Sequence, residues 1–269
     1  MNNLIIFRSS GRFGNAIFRY LACVKVILKC KKYNIDLNYV LEENVNYKNI
    51  NNLKVIKEKE IFDFLDSEIK EKDINILLDG YFQHDNLYDE NKTEIIDYIN
   101  IYKNIHKIRT DRGCEYFLKS IIDEIILEKK YDVVIHLRLS DFNGSEDFIE
   151  LKHMINLFNS FPLEFFTDKK IAIVSEKLYS QNDINYLNNC LDWFKSKKLN
   201  ITFESNDLIT DFNIMKQAKI LICSNSTLAW IAVYFSKNIE KCFLPDYNFK
   251  DKTTTFKYPI KNTVLYKVN

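Results

Sequence analysis

Glycine and proline are scarce: five and three residues in a chain of 269. That excludes collagen-like repeats, proline-rich spacers and glycine-rich linkers. Charge of one sign is also missing, since 38 Lys+Arg stand against 37 Asp+Glu for a formal net charge of +1. Such a balance projects no long-range field for nucleic acid or an anionic membrane, and neither is expected as a partner. The six cysteines form no Cys-x-x-Cys pair, so neither a zinc site nor a dithiol redox motif is expected. Cys23, Cys223 and Cys242 sit in apolar runs, where a thiol acts as a small hydrophobe. This usage fits a reduced, cytosol-like compartment.

Long hydrophobic runs are absent as well. Leu4–Phe7 is too short for a signal-peptide core of about 7–15 residues, and nothing approaches the roughly 18 apolar residues of a membrane span. The expectation is a cytoplasmic protein, or one peripheral to a membrane, without a spanning segment of its own. No His-Glu-x-x-His, no Gly-x-Ser-x-Gly and no Asp-x-Asp occurs. Neither a metal nor a cofactor is therefore expected.

What is present is a core: 46% of residues are hydrophobic, enough for one large or two modest domains. A strand over 3–8 leads through a glycine turn into a helix from about Asn15 to Lys31, whose Ile17, Tyr20, Leu21, Val24, Ile27 and Leu28 recur at helical spacing. Strands follow at 35–41 and 75–78. The lysine- and glutamate-rich stretch 54–73 reads as a solvated helical face, and 91–128 as a long helical segment. In the second half short apolar strands at 131–137, 170–174, 200–203, 219–223 and 241–244 alternate with helices at about 148–159, 182–196, 208–217 and 226–236. This is the pattern of an α/β protein with parallel sheets covered on both faces. The boundary is expected before Tyr131, giving domains 1–129 and 130–269.

Three segments fall where a strand hands over to a helix, the place where parallel sheets bind ligands. Ser9–Asn15 holds Gly11 and Gly14, which allow close backbone approach to a ligand; the plain alternative is a tight turn with Asn15 as helix cap. His136-Leu137-Arg138-Leu139-Ser140-Asp141 puts His136 and Arg138 on one face of a strand. An arginine there needs an acid or an anion, so either it pairs with Asp141 or it holds a phosphate. Ser224-Asn225-Ser226-Thr227 opens a helix with more hydroxyl and amide groups than capping requires. Ser175, ending a strand, and Asp211, beginning a helix, suit a ribose or a base. Gln83, after Gly80-Tyr81-Phe82, could face a sugar.

Taken in order, these segments resemble the fucosyltransferase superfamily, and within it the alpha-1,2-fucosyltransferases of glycosyltransferase family eleven. Gly11-Arg12-Phe13-Gly14-Asn15 is similar to that family's Gly-x-x-Gly-Asn turn and to the wording of protein O-fucosyltransferases. Gly80-Tyr81-Phe82-Gln83 looks like its glycine–aromatic–aromatic–glutamine segment. His136–Asp141 looks like His-x-Arg-x-Gly-Asp with Ser140 in place of glycine. Asp211 through Trp230 matches an acidic residue, a helix and an Asn-Ser-Ser/Thr-x-x-Trp segment. Ala16 stands where the family has Gln, and Trp230-Ile231-Ala232 where it has Trp-Trp-Gly; acceptor and linkage are left open by these departures.

The resemblance implies a GT-B arrangement, two Rossmann-like halves facing across a cleft. It implies inverting, metal-independent transfer of L-fucose from GDP-beta-L-fucose to a glycan hydroxyl, with a nucleotide sugar and a glycan as the partners. By that resemblance Arg138, Asp141 and Asn15 are the catalytic candidates. His136, Arg138, Asn225, Ser226, Thr227, Asp211, Ser175, Gly11 and Gly14 would hold the donor, and Gln83 and Tyr81 would face the acceptor. The alternatives are another nucleotide sugar, or a silent nucleotide- or carbohydrate-binding relative.

Overall fold

The computed structural model describes residues 3–84, 86–140, 144–145, 148–246 and 262–268. The chain forms two compact units, Met1–Asp123 and Glu124–Asn269, and each is α/β.

Unit 1 is built on four parallel strands: β1 (Asn3–Phe7), β2 (Leu37–Leu41), β3 (Leu53–Lys57) and β4 (Asn75–Asp79), in the order β2-β1-β4-β3. Between β1 and β2 runs α1 (Phe13–Lys31), whose apolar stripe is buried from Ile17 to Ile27. Shorter helices follow: α2 (Ile61–Asp66), α3 (Asn86–Asp89) and α4 (Lys92–Tyr102). The antiparallel pair β5 (Lys107–Arg109) and β6 (Glu115–Phe117) and the turn α5 (Lys119–Ile122) complete the unit. Tyr39 and Tyr102 flank the His106 ring at 4.6 and 4.8 Å, and Tyr20 shares a 2.9 Å hydrogen bond with its Nδ1.

Two sequence expectations fail here. Residues 54–73 are not one helical face: they hold β3, a single 3-10 turn at Glu58–Glu60 and α2. β3 is an edge strand, so its lysines can face water and hide the apolar alternation; only Ile56 is buried. Residues 91–128 are not one helix either. The chain reverses at Thr110–Cys114, where Gly113 adopts φ +76° and its N–H donates to the Thr110 carbonyl at 2.9 Å.

Unit 2 carries six parallel strands: β7 (Val133–His136), β8 (Ile171–Val174), β9 (Ile201–Glu204), β10 (Ile220–Cys223), β11 (Lys241–Pro245) and β12 (Thr263–Tyr266). Among the described residues the α-helices between them are α6 (Leu151–Ser160), α7 (Gln181–Ser196), α8 (Leu208–Gln217) and α9 (Thr227–Phe235). The order β12-β11-β10-β7-β8-β9, counted from β7, is the 3-2-1-4-5-6 of dinucleotide-binding sheets. β7, β8 and β10 are buried on both faces, which is why they read as continuous apolar runs. β12, a further edge strand, went unforeseen. Phe158, Phe166 and Phe194 interlock beneath α6 and α7, with ring centroids about 5.1 Å apart around Phe194. Among the described residues no helix is long and apolar enough to cross a membrane. All six cysteines are free thiols.

Candidate functional site

In unit 2 the strand order reverses between β7 and β10. The chain leaves β7 toward β8 on one side and returns through β10 on the other. A crevice is therefore expected outside the carboxyl ends of these two strands. Both sequence segments meet there. His136 lies in register with Cys223, and the Ser224 N–H donates to the His136 carbonyl at 2.9 Å. The Arg138 N–H donates to Ser224 Oγ at 2.7 Å. Leu137 and Leu139 turn into the core at 2% and 1% exposure, which fixes Arg138 on the opposite side.

These strand ends concentrate unsatisfied polar groups. Buried polar atoms nearly always find a partner, since an unmet one costs about 1–3 kcal/mol. Yet His136 Nδ1, Ser140 Oγ, Ser175 Oγ, Asn225 Nδ2 and Ser226 Oγ are buried and partnerless among the described residues. All five belong to the ends of β7, β8 and β10. Ser226 takes the N-cap position of α9 but makes no capping bond, and the first turn holds no acid. Thr227 opens the helix. The free N–H groups and positive dipole end of α9 thus remain available to an anion.

His136 is 4% exposed, and burial together with the neighbouring Arg138 charge lowers its pKa to about 3. The ring is neutral near pH 7 and suits hydrogen bonding rather than carrying a charge. Ser140 adopts φ +55°, a left-handed conformation that favours glycine. Asp141 lies outside the described residues.

Asp211 differs from expectation: it does not begin a helix. α8 starts at Leu208 and is capped by Asp207, whose carboxylate accepts from the N–H groups of Ile209 and Thr210 at 3.0 and 3.1 Å. Asp211 sits a turn later at 6% exposure. Its Oδ1 accepts from both the backbone N–H and the side-chain amide of Asn206 at 3.0 Å. Burial raises its pKa, against those hydrogen bonds. Ser175 closes β8 at 1% exposure, its N–H donating to the Glu204 carbonyl at 3.3 Å.

In unit 1 the strand order reverses between β1 and β4, and the remaining candidates gather at those carboxyl ends. Gln83 Nε2 donates to Asn15 Oδ1 at 2.9 Å. Gly11 has φ +77°, and a Cβ there would stand 2.8 Å from both Asn15 Cβ and Tyr81 Cε1. Asn15 is not a helix cap. α1 begins two residues earlier than expected, at Phe13; Arg12 is its N-cap without a side-chain bond, and Gly14 is buried in the first turn. Tyr81 is 40% exposed and lies over the Arg19 guanidinium at 4.8 Å.

One contributor gave no usable signal in the sequence. Glu58 accepts from the N–H groups of Tyr81 and Gln83 at 2.9 and 3.3 Å, shaping the loop after β4, yet it sits in a run of charges that looks merely solvated. Ser224 lies within the noted segment, but only the fold shows it tying β10 to β7. Among the described residues no group of three or more His, Cys, Asp or Glu is placed to hold a metal ion.

No protein-family model and no curated protein matches the chain. Solved structures do resemble it. POFUT1 in complex with GDP is 10% identical with a TM-score of 0.47, covering 90% of this chain and 98% of that one. A mutant of Arabidopsis thaliana FUT1 in complex with GDP is 11% identical at TM-score 0.47, covering 95% and 73%. E. coli heptosyltransferase WaaC with ADP is 10% identical at TM-score 0.48, covering 99% and 93%. At such identities and scores these likenesses carry no conclusion about this chain's activity, which has to be argued from its own geometry.

Proposed function

We propose that the chain is a glycosyltransferase that moves L-fucose from GDP-beta-L-fucose to a glycan hydroxyl, with inversion, in an alpha-1,2 linkage and without a metal. One observation carries the donor half of this reading: five orphaned buried polar atoms lie at or just after the ends of β7, β8 and β10, with the uncapped start of α9 among them, at the reversal of a nucleotide-type sheet. A nucleoside diphosphate fits that chemistry. Its phosphate oxygens accept from Asn225, Ser226, the α9 amides and the guanidinium fork of Arg138. Ser175, just after β8, and Asp211, in the first turn of α8, suit the nucleoside.

The chemical demand of sugar transfer from such a donor is a stabilised diphosphate leaving group. Arg138 and the helix start supply positive charge that is already oriented before the bond breaks. Neutral His136 adds a hydrogen bond without competing for charge. On the acceptor side the Asn15–Gln83 amide pair offers donors and acceptors for sugar hydroxyls, and Tyr81 offers a half-exposed ring backed by Arg19. Asp141 has the chemistry of the base that takes the acceptor proton.

The reading is tested by offering a panel of nucleotide sugars with a glycan array and following product by NMR. GDP-fucose should be consumed, an alpha-fucoside formed, and the rate unchanged by EDTA. Removing one such charged contact costs on the order of 3 kcal/mol, so Arg138→Ala should lower kcat by about 10²-fold with the fold intact. Transfer from a different nucleotide sugar would redirect the donor assignment. Near-normal turnover by Arg138→Ala would overturn the role of that residue.

A further inference from the structure

At the amino-terminal ends of the unit 2 strands lies a cavity of about 660 Å³ between the lead-ins to β7, β8 and β9. Its volume is in the range of small-molecule sites. Lys129, Lys130, Lys169, Lys170 and Lys198 line it, against Glu128 and Asp168 as its only acids. A chain with a net charge of +1 thus gathers an excess of three positive charges at one place.

The arrangement follows from strand register. Val133 pairs with Ile171, and Ile171 with Ile201, so the three lead-ins enter the sheet at one level. Adjacent strands run about 4.8 Å apart, which brings lysines from three separate loops within reach of one bound group. Two of the five are engaged: Lys129 with Glu204 at 3.5 Å, and Lys169 with the Phe165 carbonyl at 2.6 Å. The ammonium groups of Lys130, Lys170 and Lys198 have no partner among the described residues. Cations near a helix end can be explained by its dipole, but that effect fades within the last turn. It accounts for Lys195, Lys197 and Lys198 at the end of α7, and not for Lys130 or Lys170.

Lys198 gives a second, independent observation. It is the residue after the α7 C-cap, with φ +57°, and the next N–H, of Leu199, closes back on the Phe194 carbonyl at 3.1 Å. Glycine is strongly preferred at that position, because a Cβ there crowds the backbone. The cavity wall opposite is turned by another left-handed residue, Asp168 at φ +59°. Lys198 thus lines the cavity from a position where the local backbone favours glycine.

We infer that this cavity binds a multiply charged phosphate group. Three mobile ammonium point charges suit phosphate oxygens, whereas a planar carboxylate would call for the fork of arginine. The group can be a soluble oligophosphate or a phosphorylated lipid headgroup; both present the same chemistry. The inference does not depend on the proposed transferase activity.

The test uses the whole chain and a triple variant, Lys130→Gln, Lys170→Gln and Lys198→Gly. The glycine relieves the left-handed strain, so the variant should unfold at no lower temperature. Inorganic triphosphate is titrated calorimetrically in the presence of saturating GDP, which keeps the crevice out of the measurement. A second arm sediments the protein with phosphatidylcholine vesicles with and without a phosphoinositide. Saturable binding of one triphosphate per chain, weakened at least tenfold in the variant, supports the site. Phosphoinositide-dependent sedimentation, lost in the variant, also supports it and assigns the group to a lipid. No saturable binding in either arm, or equal binding by the folded variant, overturns it. A failure of GDP to bind would show separately, as an absent GDP response in both proteins.

Discussion

Acidification should weaken the fold through His136 by an amount the site geometry sets. The ring is buried at the end of β7 beside Arg138, and its pKa falls from 6.5 to about 3. The unfolded chain therefore takes up a proton that the folded chain refuses. Stability is full above about pH 6.5, declines as pH falls toward 3, and stops declining below that. Between about pH 7 and pH 5 the loss is roughly 1.5 pKa units, or about 2 kcal/mol. Urea unfolding of the wild type and His136→Gln at both pH values isolates this contribution. Other groups cancel in the difference, including His106, whose own pKa is lowered to about 4 by burial. The wild type should lose about 2 kcal/mol more than the variant. A bound diphosphate would offset the imidazolium charge, so saturating GDP should shrink the loss. Equal acid sensitivity in the two proteins would refute the assignment of His136 as a buried neutral ring.

Other consequences concern backbone and packing. Ser140→Gly removes left-handed strain after β7 and should raise stability by about 1 kcal/mol in thermal unfolding. Gly11→Ala should cost about 2 kcal/mol, because the new Cβ meets Asn15 Cβ on a rigid helix at 2.8 Å and φ +77° disfavours any side chain. Urea denaturation measures both. Phe194→Ala empties the centre of the aromatic cluster under α6 and α7 and should cost about 3–5 kcal/mol.

The unit 2 core was plain in the sequence because β7, β8 and β10 are covered on both faces, and double burial leaves nothing but apolar residues. Edge strands hide for the converse reason. β3 keeps one edge unpaired and carries Lys54 and Lys57 toward water, and the hairpin β5–β6 spans only three residues per strand. The strand-to-helix turns were legible as turns, since Gly11, Arg138 and Asn225 all sit where the chain leaves a sheet. What those turns could not show is pairing across the fold. Glu58 reaches the loop after β4 across a distance in sequence that no local pattern records. The orphaned Ser175 and Ser226 hydroxyls become meaningful only once the strand order brings them together. The helix at 208–217 was read as observed, but its start was given to Asp211, whereas Asp207, four residues earlier, is the cap.

A structure of the chain with GDP bound tests the central claim most directly. The diphosphate should lie against the Arg138 guanidinium and the start of α9, with Asn225 Nδ2 and Ser226 Oγ donating to its oxygens. GDP bound elsewhere, or a crevice left unchanged at saturating GDP with those two side chains still unpartnered, would contradict it.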